Sequence, residues 1–205
     1  MTAHRVGIMG GTFDPIHLGH LIAAREVARI YELESVLFSP VAQPWHKQPR
    51  GLAPAADRLA MIELALADDP IFAVTTVDVD RGGDTYTIDT LNDLDAQFAS
   101  RHPGDTVEWY FVTGADAIAA FDSWRATDEL LRRAHFIGVS RPGHDLHLPP
   151  VQGADRITLL DVNSADISST KIRELASKGD SLVGLVPPSV SQYINEHELY
   201  RNQHA

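Results

Sequence analysis

Residues 5–20 read R-V-G-I-M-G-G-T-F-D-P-I-H-L-G-H, and this stretch decides the fold class. Residues 5–9 form a short apolar run that ends in Gly10-Gly11, the pattern of a buried strand opening into a loop. From Leu18 the spacing turns helical, with Ala23, Val27 and Ile30 on one face. The same alternation continues outward: strand patterns at 35–39, 72–79, 107–112, 136–140 and 157–162, and helical patterns at 57–66 and 87–98. Strands alternating with helices imply βαβ units, hence an α/β protein with a mainly parallel sheet. Ligands of such sheets sit beyond the carboxyl ends of the strands. Residues 40–54 carry four prolines and a glycine, a long irregular connection of the kind that is often functional. No linker, low-complexity stretch or repeat interrupts the pattern, so residues 1–205 read as a single domain.

Bulk properties narrow the classes. The chain is 44% hydrophobic and 22% charged, ordinary for a soluble globular protein, and it has no cysteine, which excludes disulfides and thiolate metal sites. No basic flank precedes a long apolar run and no apolar stretch is long enough to span a bilayer, so no membrane partner is expected and the cytoplasm is the default location. A net charge of −11 argues against a nucleic-acid partner but leaves room for a small phosphate ligand held by local donors. Self-association into a homo-oligomer stays open.

The loop after the first strand is where a parallel sheet places phosphates. Its glycines have the wrong spacing for G-x-G-x-x-G, and no Lys-Ser/Thr follows them as in a Walker loop. Gly10 and Gly11 let a ligand approach the backbone, while the helix start offers unsatisfied N–H groups and a positive dipole end. His17 and His20 are three residues apart and so share one helical side, which suits a transition state with charge spread over phosphate oxygens. A lone H-x-x-H would pass for surface or capping residues. A zinc pair is disfavoured because no H-E-x-x-H arrangement or third ligand accompanies it.

A second segment, I-S-S-T-K-I-R at 167–173, follows the last strand pattern and starts another helix. One hydroxyl among Ser168, Ser169 and Thr170 would suffice as a cap. Three hydroxyls followed by Lys171 and Arg173 furnish a triphosphate cradle, with Arg173 about one turn beyond them.

Together these segments resemble the nucleotidyltransferase superfamily marked by H-x-G-H, on Gly10, Gly11, Phe13, Asp14, Pro15, His17, Gly19 and His20, with I-S-S-T-x-I-R as its second signature. The resemblance implies a Rossmann-like, doubly wound domain that transfers an adenylyl or cytidylyl group directly, with Mg²⁺ and release of pyrophosphate. The fuller likeness is to the bacterial nicotinate-nucleotide adenylyltransferases, whose substrates are ATP and nicotinate mononucleotide. Pro44-Trp45-His46-Lys47 resembles that family's acceptor-phosphate loop, with His46 and Lys47 its contacts. Asp57-Arg58-Leu59-Ala60-Met61 matches its arginine-led helix. Thr85, Tyr86 and Thr87 match a segment bordering the nicotinate ring, and Trp124 the tryptophan stacked on it. Gly114 and Asp116 match the Gly-x-Asp near the adenosine.

The resemblance thus implies His17, His20 and Arg173 as catalytic residues, and Gly10, Gly11, Thr12, Phe13, Gly114, Asp116, Ser168, Ser169 and Thr170 on the ATP side. The acceptor side is His46, Lys47, Thr85, Tyr86, Thr87 and Trp124. Mg²⁺ is expected to ride on the ATP phosphates, with no protein ligand set. Pantetheine-phosphate adenylyltransferase is the nearest rival; those enzymes are shorter, usually have threonine where His17 stands, and lack the Thr-Tyr-Thr and Trp124 features. A catalytically silent nucleotide-binding module is the rival of another class, and the intact His17, His20 and Arg173 speak against it.

Overall fold

The computed structural model describes residues 1–42, 52–140, 153–162 and 167–201. Six strands pair in the order β3-β2-β1-β4-β5-β6: β1 (Ala3–Gly11), β2 (Ser35–Pro40), β3 (Phe72–Val74), β4 (Thr106–Gly114), β5 (Ala134–Ser140) and β6 (Ile157–Asp161). Every one of these pairings is parallel. The chain starts in the middle of the sheet, builds one half outward to β3, then returns to β4 beside β1. That reversal leaves a crevice at the carboxyl ends of β1 and β4, the place where such sheets bind ligands.

Alternation along the strands sends successive side chains to opposite faces, so each face needs its own helical cover. On one face Met9, Tyr110, Val112 and Ile137 meet α1 (Leu18–Tyr31), α2 (Ala55–Leu66), α7 (Ser169–Lys178) and α8 (Pro188–Glu196). On the other, Ile8, Trp109, Phe111 and Phe136 meet α3 (Val77–Arg81), α4 (Thr87–Arg101), α5 (Ala115–Ala119) and α6 (Thr127–Arg133). This is the doubly wound Rossmann-like arrangement. Among the described residues, no helix is long and apolar enough to cross a membrane.

One element differs from the sequence expectation. The strand expected over 72–79 is only Phe72–Val74, and the rest turns into α3. The Val-x-Val alternation that suggests a strand is overruled by hydrogen bonding. Asp80 N–H donates to the Thr76 carbonyl at 2.7 Å and the Thr76 hydroxyl to the Asp80 carboxylate at 2.6 Å, closing a helical turn. Acidic residues in its first turn, Arg81 in its last and Gly82 after it are ordinary helix signals.

Candidate active site

β1 delivers Gly10 and Gly11 to the crevice, where each lies close against an aromatic ring. A β-carbon on Gly10 would lie 2.7 Å from the Phe111 ring, and one on Gly11 would lie 3.1 Å from that of Phe13. Phe13 takes a left-handed backbone (φ 49°) and turns its ring into the core, against His20 and Phe38. With its side chain 2% exposed, Phe13 has only its main chain to offer a nucleotide.

His17 caps α1 and is 7% exposed. Its imidazole stacks on that of His20, centroids 3.7 Å apart. The ring also lies over Gly19, where a β-carbon would come within 3.0 Å of Nδ1 and 3.1 Å of Cε1. His17 N–H donates to His20 Nδ1 at 3.2 Å, so the neutral His20 ring carries its proton on Nε2. The helix start is less open than the sequence suggests, because Leu18 N–H is taken by the Leu185 carbonyl at 2.9 Å.

The two signature segments meet. Arg173 donates to the Asp14 carbonyl at 2.7 Å and the Ser169 hydroxyl to the Pro15 carbonyl at 3.0 Å. Ser168 is the N-cap of α7, accepting from Lys171 N–H at 3.3 Å, and Thr170 accepts from Arg173. Behind the loop, the buried carboxylate of Asp14 accepts from Ala53 N–H and the Tyr200 hydroxyl. Burial and that neighbouring carboxylate push the Tyr200 phenol well above its ordinary value, so it stays a donor. Arg58, 1% exposed, donates to the carbonyls of Thr12, Val41, Ala42 and Ala53. Its role here is to clamp the first loop to the end of β2.

Beside this assembly a cleft of about 740 Å³ runs from Gly10, Gly11 and Thr12 to Trp124. Thr85, Tyr86 and Thr87 line it at the start of α4, and Asp116 at the start of α5. Trp124 packs against Phe121, Phe111 and Phe136 while still facing the cleft, so it is both core and wall. Thr85 Oγ1 accepts from Ala42 N–H at 3.1 Å. Gly114 closes β4 directly under the Asp116 carboxylate. His17, His20, Ser169 and Arg173 are not among the residues lining this cleft; they form the neighbouring group, joined to it through Thr12 and Phe13. His46 and Lys47 lie outside the described residues.

Sequence reasoning missed Arg125 and Asp78. The Arg125 guanidinium sits over the Tyr86 ring, 4.8 Å from its centroid, and lines the cleft. Asp78, 2% exposed, accepts from the hydroxyls of Ser39 and Thr90, each at 2.7 Å, and from both terminal nitrogens of Arg81. Burial raises its pKa, opposed by those hydroxyls and by Arg81. Asp78 thereby ties the end of β2 to the start of α4.

Comparison with known proteins agrees with this architecture. Residues 8–175 match the family model described as cytidylyltransferase-like. The chain is 51% identical over 197 residues to a protein of Acidothermus cellulolyticus named probable nicotinate-nucleotide adenylyltransferase, covering 96% of this chain and 94% of that one. A protein of the same name from Corynebacterium glutamicum is 47% identical over 199 residues, covering 96% and 88%. Among solved structures, nicotinic acid mononucleotide adenylyltransferase of Plasmodium falciparum, complexed with NaAD, superposes with a TM-score of 0.73 over 96% of this chain and 97% of that one. At 19% identity that likeness is one of fold. The chain belongs to the cytidylyltransferase-like family and, within it, to the bacterial nicotinate-nucleotide adenylyltransferases.

Proposed function

We propose that this site transfers AMP from ATP to nicotinate mononucleotide, forming nicotinate adenine dinucleotide and pyrophosphate. The observation that carries the reading is the docking of Arg173 and Ser169 onto the Asp14-Pro15 backbone beside a cleft ending at Trp124. One compact region then holds phosphate donors at one end and a ring-stacking wall at the other. The acceptor phosphate is already a competent nucleophile, so no covalent intermediate is needed. The protein's task is to align its oxygen with the α-phosphorus and support the departing pyrophosphate.

His20, donating from Nε2, and His17 stabilise charge developing on the phosphate oxygens. Arg173, with about a third of its side chain exposed, and the hydroxyls around the start of α7 hold the outer phosphates. Gly114 and Asp116 serve the nucleoside of ATP; His46 and Lys47 orient the acceptor phosphate. Thr85, Tyr86, Thr87 and Trp124 receive the pyridine ring. ATP brings Mg²⁺ with it: the carboxylate of the first signature, Asp14, is engaged by Ala53 and Tyr200 and faces Arg173 at 3.8 Å. We read residues 1–205 as one nucleotidyltransferase domain working in the cytoplasm, with small nucleotides and no nucleic acid as partners.

The test is a panel of acceptor nucleotides, each supplied with MgATP and followed by pyrophosphate release. Nicotinate mononucleotide should give the highest kcat/KM. Turnover with phosphopantetheine alone, or with no acceptor, would overturn the assignment.

A further inference from the structure

The amino ends of β1 and β4, opposite the cleft, hold a second group of chemistry-bearing side chains. His4 lies on β1, His102 caps the end of α4, and Asp105 ends the turn that leads into β4. Their candidate ligand atoms all lie within 4.8 Å of one another. Pairing of Ala3 with Thr106 and of His4 with Val107 fixes the strands on which two of them depend. The turn is held by Asp105 N–H donating to the His102 carbonyl at 3.1 Å, with Gly104 in the left-handed conformation (φ 88°).

Each ligand atom is aimed by a neighbour. His4 Nδ1 is 2.8 Å from Glu34 Oε2, so the neutral ring donates there and leaves Nε2 as an acceptor. His4 Nε2 is buried and makes no hydrogen bond; Asp105 Oδ2 stands 3.5 Å away. Asp105 Oδ1 accepts from Thr2 N–H at 2.7 Å, which orients that carboxylate. The exposed His102 ring lies between Phe98, on which it stacks at 4.7 Å, and His4, whose ring centroid is 5.2 Å away. A carboxylate behind a histidine, with the second nitrogen facing a further ligand, is the outer arrangement of protein metal sites.

We propose that His4, His102 and Asp105 bind a divalent transition-metal ion of the zinc class, with Glu34 holding the His4 tautomer. Two imidazoles and one carboxylate suit such an ion rather than Mg²⁺ or Ca²⁺. Bonds of about 2.0–2.1 Å place tetrahedral ligands roughly 3.3–3.4 Å apart, close to the His4–Asp105 separation. Water completes the coordination. Six residues of strand separate His4 from Gly10, about 20 Å, so the ion would lie far from the adenylyl-transfer chemistry. It would staple the chain start and the end of α4 to the sheet. In the bland alternative, a protonated His4 simply bridges Glu34 and Asp105, and no metal is required.

The experiment uses full-length protein stripped with chelator, then titrated with Zn²⁺ by calorimetry and with Co²⁺ by visible absorption. Thermal melts are run in parallel. One ion should bind with tetrahedral cobalt bands, and Zn²⁺ at 100-fold above its Kd should raise Tm by about 5–10 °C. His102→Ala and Asp105→Asn should abolish the bands and the Tm gain, while Glu34→Gln should weaken binding by roughly 10–100-fold. His102→Ala should leave turnover with MgATP unchanged, and its metal-free melt shows that it is folded. No Tm gain in the parent protein, or an equal gain in His102→Ala, overturns the proposal. The latter outcome would place the ion on another of the chain's ten histidines.

Discussion

Arg173 donates from its guanidinium to the main-chain carbonyl of Asp14 at 2.7 Å, joining positions 159 residues apart in the chain. The bond makes the second signature a support for the first as well as a candidate phosphate contact. The same guanidinium reaches Thr170 Oγ1 at 3.3 Å and faces the Asp14 carboxylate. Any ligand drawn to Arg173 therefore meets a side chain already aimed by the loop it would help to close.

Arg173→Ala should cost both functions. Loss of charge-assisted phosphate contacts should lower kcat/KM for ATP by roughly 10²–10³, while binding of the acceptor alone changes little. Removing the Asp14 bond should lower stability by about 1–3 kcal/mol. Calorimetry with ATP and a denaturant melt separate the two effects. Intact ATP affinity with lowered stability would leave Arg173 as a support only. Arg173→Lys should keep charge but not the fork, and so recover the catalytic loss only in part.

Gly19 is where the H-x-G-H spacing acquires a physical reason. A β-carbon there would press on the His17 ring at 3.0 Å, and that ring is already stacked against His20. Gly19→Ala should displace both imidazoles by a few tenths of an ångström. Since a misplacement of about 1 Å can cost roughly 10²-fold, kcat should fall by roughly 4–10-fold. Alanine favours helix, so the melting temperature should stay near that of the parent. Parent-like kcat would show that His17 yields without consequence. His20→Ala should lower kcat further, by roughly 10²–10³.

Asp78→Asn tests the tie between β2 and α4. Burial raises the Asp78 pKa above its unfolded value, so across the carboxylate range the folded state binds the proton more tightly. Its contribution to stability is then largest at low pH and declines as pH rises through the folded-state pKa. The stability difference, parent minus Asp78→Asn, should fall with rising pH over that window. A difference that grew with pH would mean that Arg81 and the two hydroxyls outweigh burial. Loosening the start of α4 should also raise KM for the acceptor more than it lowers kcat.

Asp78 also marks the boundary of what the sequence makes legible. The G-G-T-F-D-P-I-H-L-G-H and I-S-S-T-K-I-R segments can be read because glycine spacing, hydroxyls and helix starts are local properties. The strand order and the side chains that lock the site are products of long-range packing. Arg58 looks like an ordinary amphipathic start until its four carbonyl partners, drawn from the loops after β1 and β2, are seen. Tyr200 reaches Asp14 across 186 positions, a pairing without local signal. The strand expectation over 77–79 fails for a different reason: helix signals are present there, but two valines in alternation match a strand equally well. Trp124 is intermediate, since a core tryptophan and a stacking wall look alike in sequence, and here the same residue lies against both core and cleft.

The start of α4 should favour an acid over an amide on the pyridine ring. Thr85, Tyr86 and Thr87 line the cleft at the start of α4, so its positive dipole end faces the cleft. Arg125, stacked over Tyr86, adds a cation on the same wall. Asp89 in the first turn and Asp78 below it oppose an anion, but Asp78 is already engaged by Ser39, Thr90 and Arg81. Nicotinate offers two acceptor oxygens to this wall, whereas the amide NH₂ leaves a donor facing donors, at about 1–3 kcal/mol for each bond lost. A site built to pair a missing group discriminates strongly, so kcat/KM for nicotinate mononucleotide should exceed that for the amide form by roughly 10²-fold or more. Arg125→Ala should narrow the ratio by lowering the acid's value alone. The measurement is kcat/KM for both nucleotides at fixed Mg²⁺ and salt, in parent and variant. Equal values in the parent would remove the acid assignment while leaving adenylyl transfer untouched. A ratio unchanged in Arg125→Ala would assign the selectivity to the helix start alone.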